Sequence, residues 1–199
     1  MTAVEESRMA TESLMTTEEF EELDRLAGRV SEGLRLEFID GRLGAKPVPD
    51  GDHGCIIEWL IRAFLLLRPE LWLFQEQGLK VEGYRAGRAR PDGALAPSGV
   101  FAGQPEWADP APVLLVVEVT SSDQDTDRRD REEKPRAYAQ TRIPIYLLVD
   151  RDLCQFVLHS EPKDGKYERI LTQPFGARLA FPEPVGGVLD TEPIKDWVR

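Results

Sequence analysis

Two apolar stretches decide the fold: VLLVVEV at residues 113–119 and IPIYLLVD at residues 143–150. A continuous apolar run is typical of a strand that is buried on both faces, as in the middle of a sheet. A charged segment at 123–134 and the sequence Ala137-Tyr138-Ala139 lie between them and are interpreted as leading into a helix. A strand at 113–119, a helix to about residue 141 and a strand at 145–149 have the length and order of a parallel β-α-β crossover.

The segments before this unit carry clear local signals. Thr16 and Glu19 form a capping-box pattern ahead of apolar residues at helical spacing. Asp40-Gly41 between short strands at 34–39 and 42–44 predicts a tight β-hairpin. From His53 to Leu67 the apolar residues again follow helical spacing.

The rest of the chain reads mainly as short strands. They are predicted at 71–75, 79–81, 93–96, 155–158 and 167–171, with a turn at 83–88 and a short final helix at 192–198. The overall prediction is an α/β (α+β) fold with a mixed central sheet flanked by helices.

Length and composition fit one globular domain. The 199 residues, of which 41% are hydrophobic and 31% charged, suggest a single domain at 16–199 behind a disordered tail at 1–15. No apolar run is long enough for a membrane span, and the N-terminus does not resemble a secretory signal. Cys55 and Cys154 lie in apolar segments, so we expect buried free thiols and a cytoplasmic protein.

The formal net charge of −11 bears on possible partners. Binding to nucleic acid depends on local positive charge, and an acidic chain can still carry a basic stripe. An acidic surface can also serve solubility alone. The charge therefore disfavours tight, non-specific DNA binding.

Two carboxylates occupy unusual places. Asp92 follows Pro91 at the start of a predicted strand, and Glu118 ends the apolar run at 113–117. A carboxylate at the end of a buried strand is costly unless it is paired or binds a cation. Two such groups on neighbouring strand ends can share a hard cation such as Mg²⁺, which activates water and neutralises phosphate charge. The alternatives are a turn aspartate and a strand-end glutamate paired with an arginine.

The order of several motifs resembles the Uma-type branch of the PD-(D/E)XK (restriction-endonuclease-like) superfamily. The resemblance covers roughly 16–199 and rests on RPD at 90–92, VVEVTS at 116–121, RRDREEK at 128–134, YA at 138–139, IPIYLLVD at 143–150, LEFIDG at 36–41 and His53. It implies a restriction-endonuclease-like core, DNA as the substrate, Mg²⁺ or Mn²⁺ as the cofactor and, for a chain of this size, a homodimer.

The resemblance also implies roles for individual residues. Asp92 and Glu118 match the metal ligands, with the Val119 backbone carbonyl as a third. The standard lysine position is Thr120, and Lys134 matches the place to which this branch moves the lysine. A residue before proline is pushed away from helical geometry. Because Pro135 follows Lys134, the sequence does not fix the direction of the Lys134 side chain.

Other residues have weaker assignments. Glu37 matches a supporting carboxylate or weak ligand but equally suits a hairpin partner of Arg42. His53 matches a position near the site and is otherwise a helix-start residue. The alternative for Lys134 is a solvent-exposed residue within a run of charged residues. Arg90, Arg128 and Arg131 are candidates for a phosphate-binding rim but equally suit a role in balancing the many surface carboxylates.

These features lead to two hypotheses and, as the plainest alternative, to a purely structural acidic cluster with no ligand. The first is a metal-dependent endonuclease in which Asp92, Glu118 and Lys134 are catalytic. The second is a binding or regulatory module on an inactive nuclease fold, which the net charge and the sequence Lys134-Pro135 favour.

Overall fold

The computed structural model describes residues 15–31, 33–46, 48–81, 86–121 and 128–197. Nearly all of the predicted tail lies outside these ranges. The helices are α1 (Thr17–Val30), α2 (Gly51–Leu67) and α3 (Lys134–Gln140), with a π-helical turn (Arg129–Glu133) before α3 and a 3₁₀ helix (Glu192–Ile194) near the end. The strands are β1 (Arg35–Ile39), β2 (Arg42–Lys46), β3 (Leu71–Gln75), β4 (Gly78–Val81), β5 (Gly87–Ala89), β6 (Gly93–Pro97), β7 (Trp107–Ala108), β8 (Leu115–Val119), β9 (Ile145–Asp150), β10 (Gln155–Lys163), β11 (Lys166–Pro174), β12 (Arg178–Ala180) and β13 (Val188–Asp190).

A six-stranded mixed sheet contains the predicted crossover. Its order is β11-β10-β9-β8-β6-β3, and β8 and β9 are parallel while their other neighbours are antiparallel. All residues of β8 and β9 are buried, as the apolar runs predict. The α/β fold class and the parallel β-α-β unit are thus confirmed.

The side chains of β8 alternate between two cores. Leu115, Val117 and Val119 belong to the core that also contains the buried face of α2. Val116 instead belongs to the core that contains Tyr138 of α3. Because alternate residues of a strand point to opposite faces, Glu118 shares the face of Val116 and points toward α3.

A five-stranded sheet, in the order β2-β1-β5-β4-β7, provides the second layer that borders the site. Its β1–β2 hairpin turns at Asp40 and Gly41, whose φ values of 52° and 76° are those of a type I′ turn. Phe38 of β1 stacks on Phe20 of α1, with ring centroids 5.3 Å apart, which fixes α1 against this sheet.

Some local predictions are wrong. Cys55 is exposed because it lies off the buried face of Ile56, Leu60 and Phe64 in α2, and Cys154 is half-buried in the turn between β9 and β10. The predicted final helix is reduced to the 3₁₀ segment Glu192–Ile194. The strands β5, β7, β12 and β13 are too short to show a sequence pattern and were missed.

Candidate active site

Asp92 and Glu118 are brought together by the pairing of β6 with β8. Gly93 lies opposite Val117 in this antiparallel ladder, so the next position in register places Asp92 opposite Glu118. Directly opposed residues lie on the same face of a sheet. The side chain of Asp92 is 4% exposed and that of Glu118 is 1% exposed, so both carboxylates are cut off from bulk water.

Asp92 is held by three donors. Its Oδ1 lies 2.6 Å from Nζ of Lys46, and its Oδ2 lies 3.0 Å from Nε2 of His53. The backbone N–H of Val119 donates to Oδ2 at 2.7 Å. Burial would raise the pKa of Asp92, but Lys46 and His53 hold it well below its ordinary value. Asp92 is therefore ionised.

Glu118 has a tyrosine and a lysine as partners. The Tyr138 hydroxyl donates to Oε1 at 2.9 Å, and Nζ of Lys134 lies 2.9 Å from Oε2. Nζ of Lys46 is 3.9 Å from the same Oε2. Burial nevertheless raises the pKa of Glu118 to about 8, because the two lysines only partly offset its desolvation.

Lys134 points into this group of carboxylates despite the proline that follows it. The backbone at Lys134 is helical (φ −64°, ψ −47°), and its N–H bonds to the Arg129 carbonyl across the π turn. Pro135 occupies the start of α3, where a missing N–H is tolerated. Lys134 does lie at a helix start, as expected from Pro135, but its ammonium group is buried and faces the site.

Two further carboxylates surround the Lys134 ammonium. Glu37 of β1 lies 3.3 Å from Nζ through Oε2, and its Oε1 accepts the Arg90 backbone N–H at 2.8 Å. Asp130 in the π turn lies 2.9 Å from Nζ. The hairpin register places Glu37 opposite Gly44, and Arg42 is instead 3.3 Å from Glu133. Glu37 is therefore part of the site and not the hairpin partner of Arg42.

The acidic–lysine cluster comprises Glu37, Lys46, Asp92, Glu118, Asp130 and Lys134. Its four carboxylates share two ammonium groups, so the cluster is short of positive charge. Burial raises the pKa of Asp130 to about 6, although Lys134 acts in the opposite direction. Burial would lower the pKa of Lys134, but Asp130, Glu118 and Glu37 together raise it well above its ordinary value. These carboxylates therefore favour the charged form of Lys134.

A cavity of about 200 Å³ opens onto the cluster. Asp92, Glu118, Lys134 and Lys46 line it, together with His53 at the N-terminal end of α2. His53 therefore lies at the cavity, beside Asp92. Val119 also lines the cavity, and its backbone N–H is the group seen to contact Asp92.

Thr120 has a structural role in place of the standard lysine. Its side chain is buried, and its hydroxyl accepts the Arg151 backbone N–H at 2.9 Å. The Arg151 guanidinium bonds the Thr120 carbonyl and reaches Asp50, the N-cap of α2. These contacts tie the end of β8 to the start of α2, which carries His53.

The three arginines predicted to bind phosphate are engaged elsewhere. Arg90 is buried, contacts Asp24 and Glu106 at 2.7 Å each, and lies over the Trp107 ring. Arg131 contacts Asp150 at 2.7 Å. The side chain of Arg128 is 62% exposed and lies 3.8 Å from both Glu132 and Glu133. None of the three lines the cavity, and Arg90 faces α1 and the segment at 106–107 instead.

Sequence reasoning assigned no role to three residues of the site: Lys46, Asp130 and Tyr138. Lys46 lies two residues after Gly44, which pairs with Glu37, so strand alternation puts Lys46 on the face of Glu37. The signal was missed because the predicted strand ended at residue 44. Asp130 and Tyr138 are four residues before and after Lys134, a spacing that places side chains on one side of a regular helix.

The described residues contain no group of three histidine, cysteine, aspartate or glutamate side chains already arranged to hold a metal ion. The same residues include no helix long and apolar enough to cross a membrane. The hard oxygen donors Asp92 and Glu118 are nevertheless the type that Mg²⁺ prefers, and a cationic group, the Lys46 ammonium, already contacts both.

Comparison with a solved structure bears on the fold of this chain, and comparison with family models shows its family. A solved structure from Anabaena variabilis, described as "a putative nuclease belonging to DUF820", matches with a TM-score of 0.64 and 15% identity, over 84% of this chain and 92% of that one. The chain therefore shares the fold of that protein. The family model Uma2, described as "Putative restriction endonuclease", matches residues 17–191, and the chain belongs to this family. No curated protein matches the sequence.

Proposed function

We propose that this protein is a divalent-metal-dependent endonuclease that hydrolyses DNA phosphodiester bonds, with Mg²⁺ or Mn²⁺ held by Asp92 and Glu118. One observation carries the proposal: two buried carboxylates on neighbouring strand ends face a cavity beside the Lys134 ammonium, which lies 2.9 Å from Glu118. The family and the nuclease-type fold support it. The Val119 carbonyl is the expected third ligand.

The residues of the cluster have different roles in the proposed reaction. A bound divalent ion supplies Lewis-acid activation of water and neutralises charge on the phosphate. Lys134, 2.9 Å from Glu118, holds that carboxylate in place and adds a fixed positive charge at the cavity, where charge develops on the phosphate. Tyr138 fixes the other oxygen of Glu118, and Glu37 and Asp130 in turn hold Lys134.

Phosphate contacts outside the cluster must come from cations that are not already buried in ion pairs. Arg128 is the one member of the predicted arginine rim whose side chain is mostly exposed. We therefore retain Arg128 as a candidate for binding the DNA backbone and leave out Arg90, whose guanidinium is buried. A homodimer remains an expectation from the family resemblance.

Cleavage assays on plasmid and linear DNA with Mg²⁺ or Mn²⁺ test the proposal. Asp92→Asn and Glu118→Gln should each reduce cleavage by more than about 100-fold, since loss of residues that only support metal ligands already costs about 10–100-fold. Glu58→Gln is a matched control, because Glu58 is 62% exposed and pairs with Arg62 on the surface of α2. Equal cleavage by the wild type and both site variants would exclude this mechanism.

A second candidate is a binding or regulatory module that retains the nuclease fold without cleavage. The net charge of −11 and the Lys46 ammonium beside both carboxylates favour it. Calorimetry with Mg²⁺ and Mn²⁺ separates the two candidates. Metal binding that disappears in Glu118→Gln supports the endonuclease, whereas no binding at millimolar metal supports the module.

A further inference from the structure

The Lys46 ammonium group occupies the position at which a divalent ion would bind in the proposed metal site. Lys46 is the last residue of β2, and its side chain is only 10% exposed. Its ammonium nitrogen is 2.6 Å from Oδ1 of Asp92 and 3.9 Å from Oε2 of Glu118. A third oxygen, the Arg90 carbonyl, accepts from it at 2.6 Å. The nitrogen thus has three oxygen partners from two segments of the chain, residues 90–92 and β8, as a bound cation would.

We propose that the Lys46 ammonium is a built-in competitor for the metal site and must leave before a divalent ion can bind to Asp92 and Glu118. This inference rests on the proposed function and concerns the regulation of the same site. A divalent ion bound to both carboxylates would lie within a few ångströms of the ammonium position, where two cations repel each other strongly because water is excluded.

The surroundings of Lys46 allow it to move. Among the residues that the structure describes, β2 is an edge strand paired with β1 alone, and Lys46 is its final residue. Lysine has a flexible four-carbon stem, and the cavity of about 200 Å³ lies directly beside it. Glu76 lines the same cavity, and its carboxylate, which is partly exposed and 3.9 Å from Arg35, is a group of opposite charge on that side of the cavity. The displaced side chain therefore has both space and a partner of opposite charge.

Lys134 differs from Lys46 in this respect. Its side chain is 1% exposed and lies among Glu37, Glu118 and Asp130. Since a metal held by Glu118 would leave Glu37 and Asp130 with Lys134 as their cation, Lys134 stays in place. The cluster thus contains one fixed ammonium and one that is exchanged for metal.

Calorimetric titration of the full chain with MnCl₂ tests the proposal. Lys46→Met should bind Mn²⁺ about tenfold more tightly than the wild type, a change that corresponds to about 1.4 kcal/mol. Lys80→Met is the matched control: it removes the same charge from an exposed position on β4, and its affinity should equal that of the wild type. Glu118→Gln should bind no Mn²⁺. A larger rise in Tm with Mn²⁺ for Lys46→Met than for the wild type provides a second readout.

The possible failures are distinguishable. If the wild type binds Mn²⁺ and Lys46→Met binds it equally or more weakly, the competitor role of Lys46 is wrong and the proposed metal site survives. If neither protein binds at millimolar Mn²⁺, the proposed function fails and this inference fails with it. Binding by Lys46→Met alone supports both. Circular dichroism checks folding, and Lys46→Gln replaces Lys46→Met if the methionine variant does not fold.

Discussion

Tyr146 contacts two buried polar regions that are stabilised in opposite ways. Toward α3 it stacks on Tyr138, with ring centroids 5.7 Å apart, and Tyr138 bonds Glu118 of the acidic–lysine cluster. Toward β10 and β11 it packs against His159, at 5.3 Å, and Tyr167. The first region retains charges and pairs them, whereas the second keeps its groups neutral.

The pKa shifts express this difference. In the cluster, Lys46 and Lys134 have raised pKa values because neighbouring carboxylates outweigh the effect of burial. At His159, burial alone lowers the pKa to about 4, and the ring is neutral near pH 7. A buried charged group is compatible with a stable fold only while its partners of opposite charge are present. A buried neutral group is compatible with a stable fold only while it stays uncharged. The two regions should therefore respond differently to mutation and pH.

Removing the central cation should have the largest effect. Lys134→Met leaves three buried carboxylates around an apolar side chain and should lower the free energy of unfolding by about 3–5 kcal/mol in urea denaturation. Without the cation, the folded protein must hold protons on these acids more tightly than the unfolded chain does. The loss should therefore grow as the pH rises.

Lys163→Met is the control for this variant. Lys163 pairs with Glu168 at 3.1 Å, but both side chains are more than half exposed, so the expected cost is below about 1 kcal/mol. A Lys134→Met variant as stable as Lys163→Met would show that the cluster does not depend on its central charge.

Acid should destabilise the protein through His159. Its pKa is about 6.5 in the unfolded chain and about 4 when folded, so the unfolded chain binds the extra proton between these values. Stability is therefore lost as the pH falls below 6.5, by at most about 1.4 kcal/mol per pH unit, or about 2 kcal/mol by pH 5. Urea denaturation at several pH values measures the slope, and His159→Gln should remove this part of it. An unchanged slope in the variant would show that His159 is not the responsible group.

Two tyrosine hydroxyls allow a finer comparison. At pH 9, where Glu118 with its pKa of about 8 is ionised, Tyr138→Phe removes a hydrogen bond to a charged carboxylate and should cost about 1.5 kcal/mol. Tyr167→Phe removes a bond of the same length, 2.9 Å, to the neutral Ile143 carbonyl and should cost about 1 kcal/mol. Equilibrium unfolding of both variants measures the difference. A larger loss for Tyr167→Phe would contradict the view that charge makes the cluster bond the stronger one.

The features that sequence predicts well here are those set by neighbouring residues. The apolar runs identified β8 and β9, and Asp40-Gly41 identified the hairpin, because each signal is complete within a few residues. Asp92 and Glu118 could be singled out because a carboxylate in an apolar strand needs an explanation. The structure brings them into the same buried cluster.

The parts that sequence could not supply depend on distant contacts. The backbone preference before Pro135 made the direction of Lys134 ambiguous, and three carboxylates from separate segments resolve it. Lys46 ends an edge strand with little apolar pattern, so its burial follows from the pairing of β1 with β2 and from the position of Asp92. Arg90 was misjudged for the same reason, since its partners Asp24 and Glu106 are far away in the sequence.

The π turn at Arg129–Glu133 accommodates one residue more than an α-helical turn would before α3 begins. In such a turn the hydrogen bond spans one residue more than in an α-helix, so deleting one residue would restore α-helical pairing. The deletion would be absorbed within the turn, so Lys134 and Tyr138 would keep their direction toward Glu118. When related sequences are aligned, a one-residue gap at this turn is therefore compatible with the same helical phase in α3, and the two residues can be assigned to the site across such a gap.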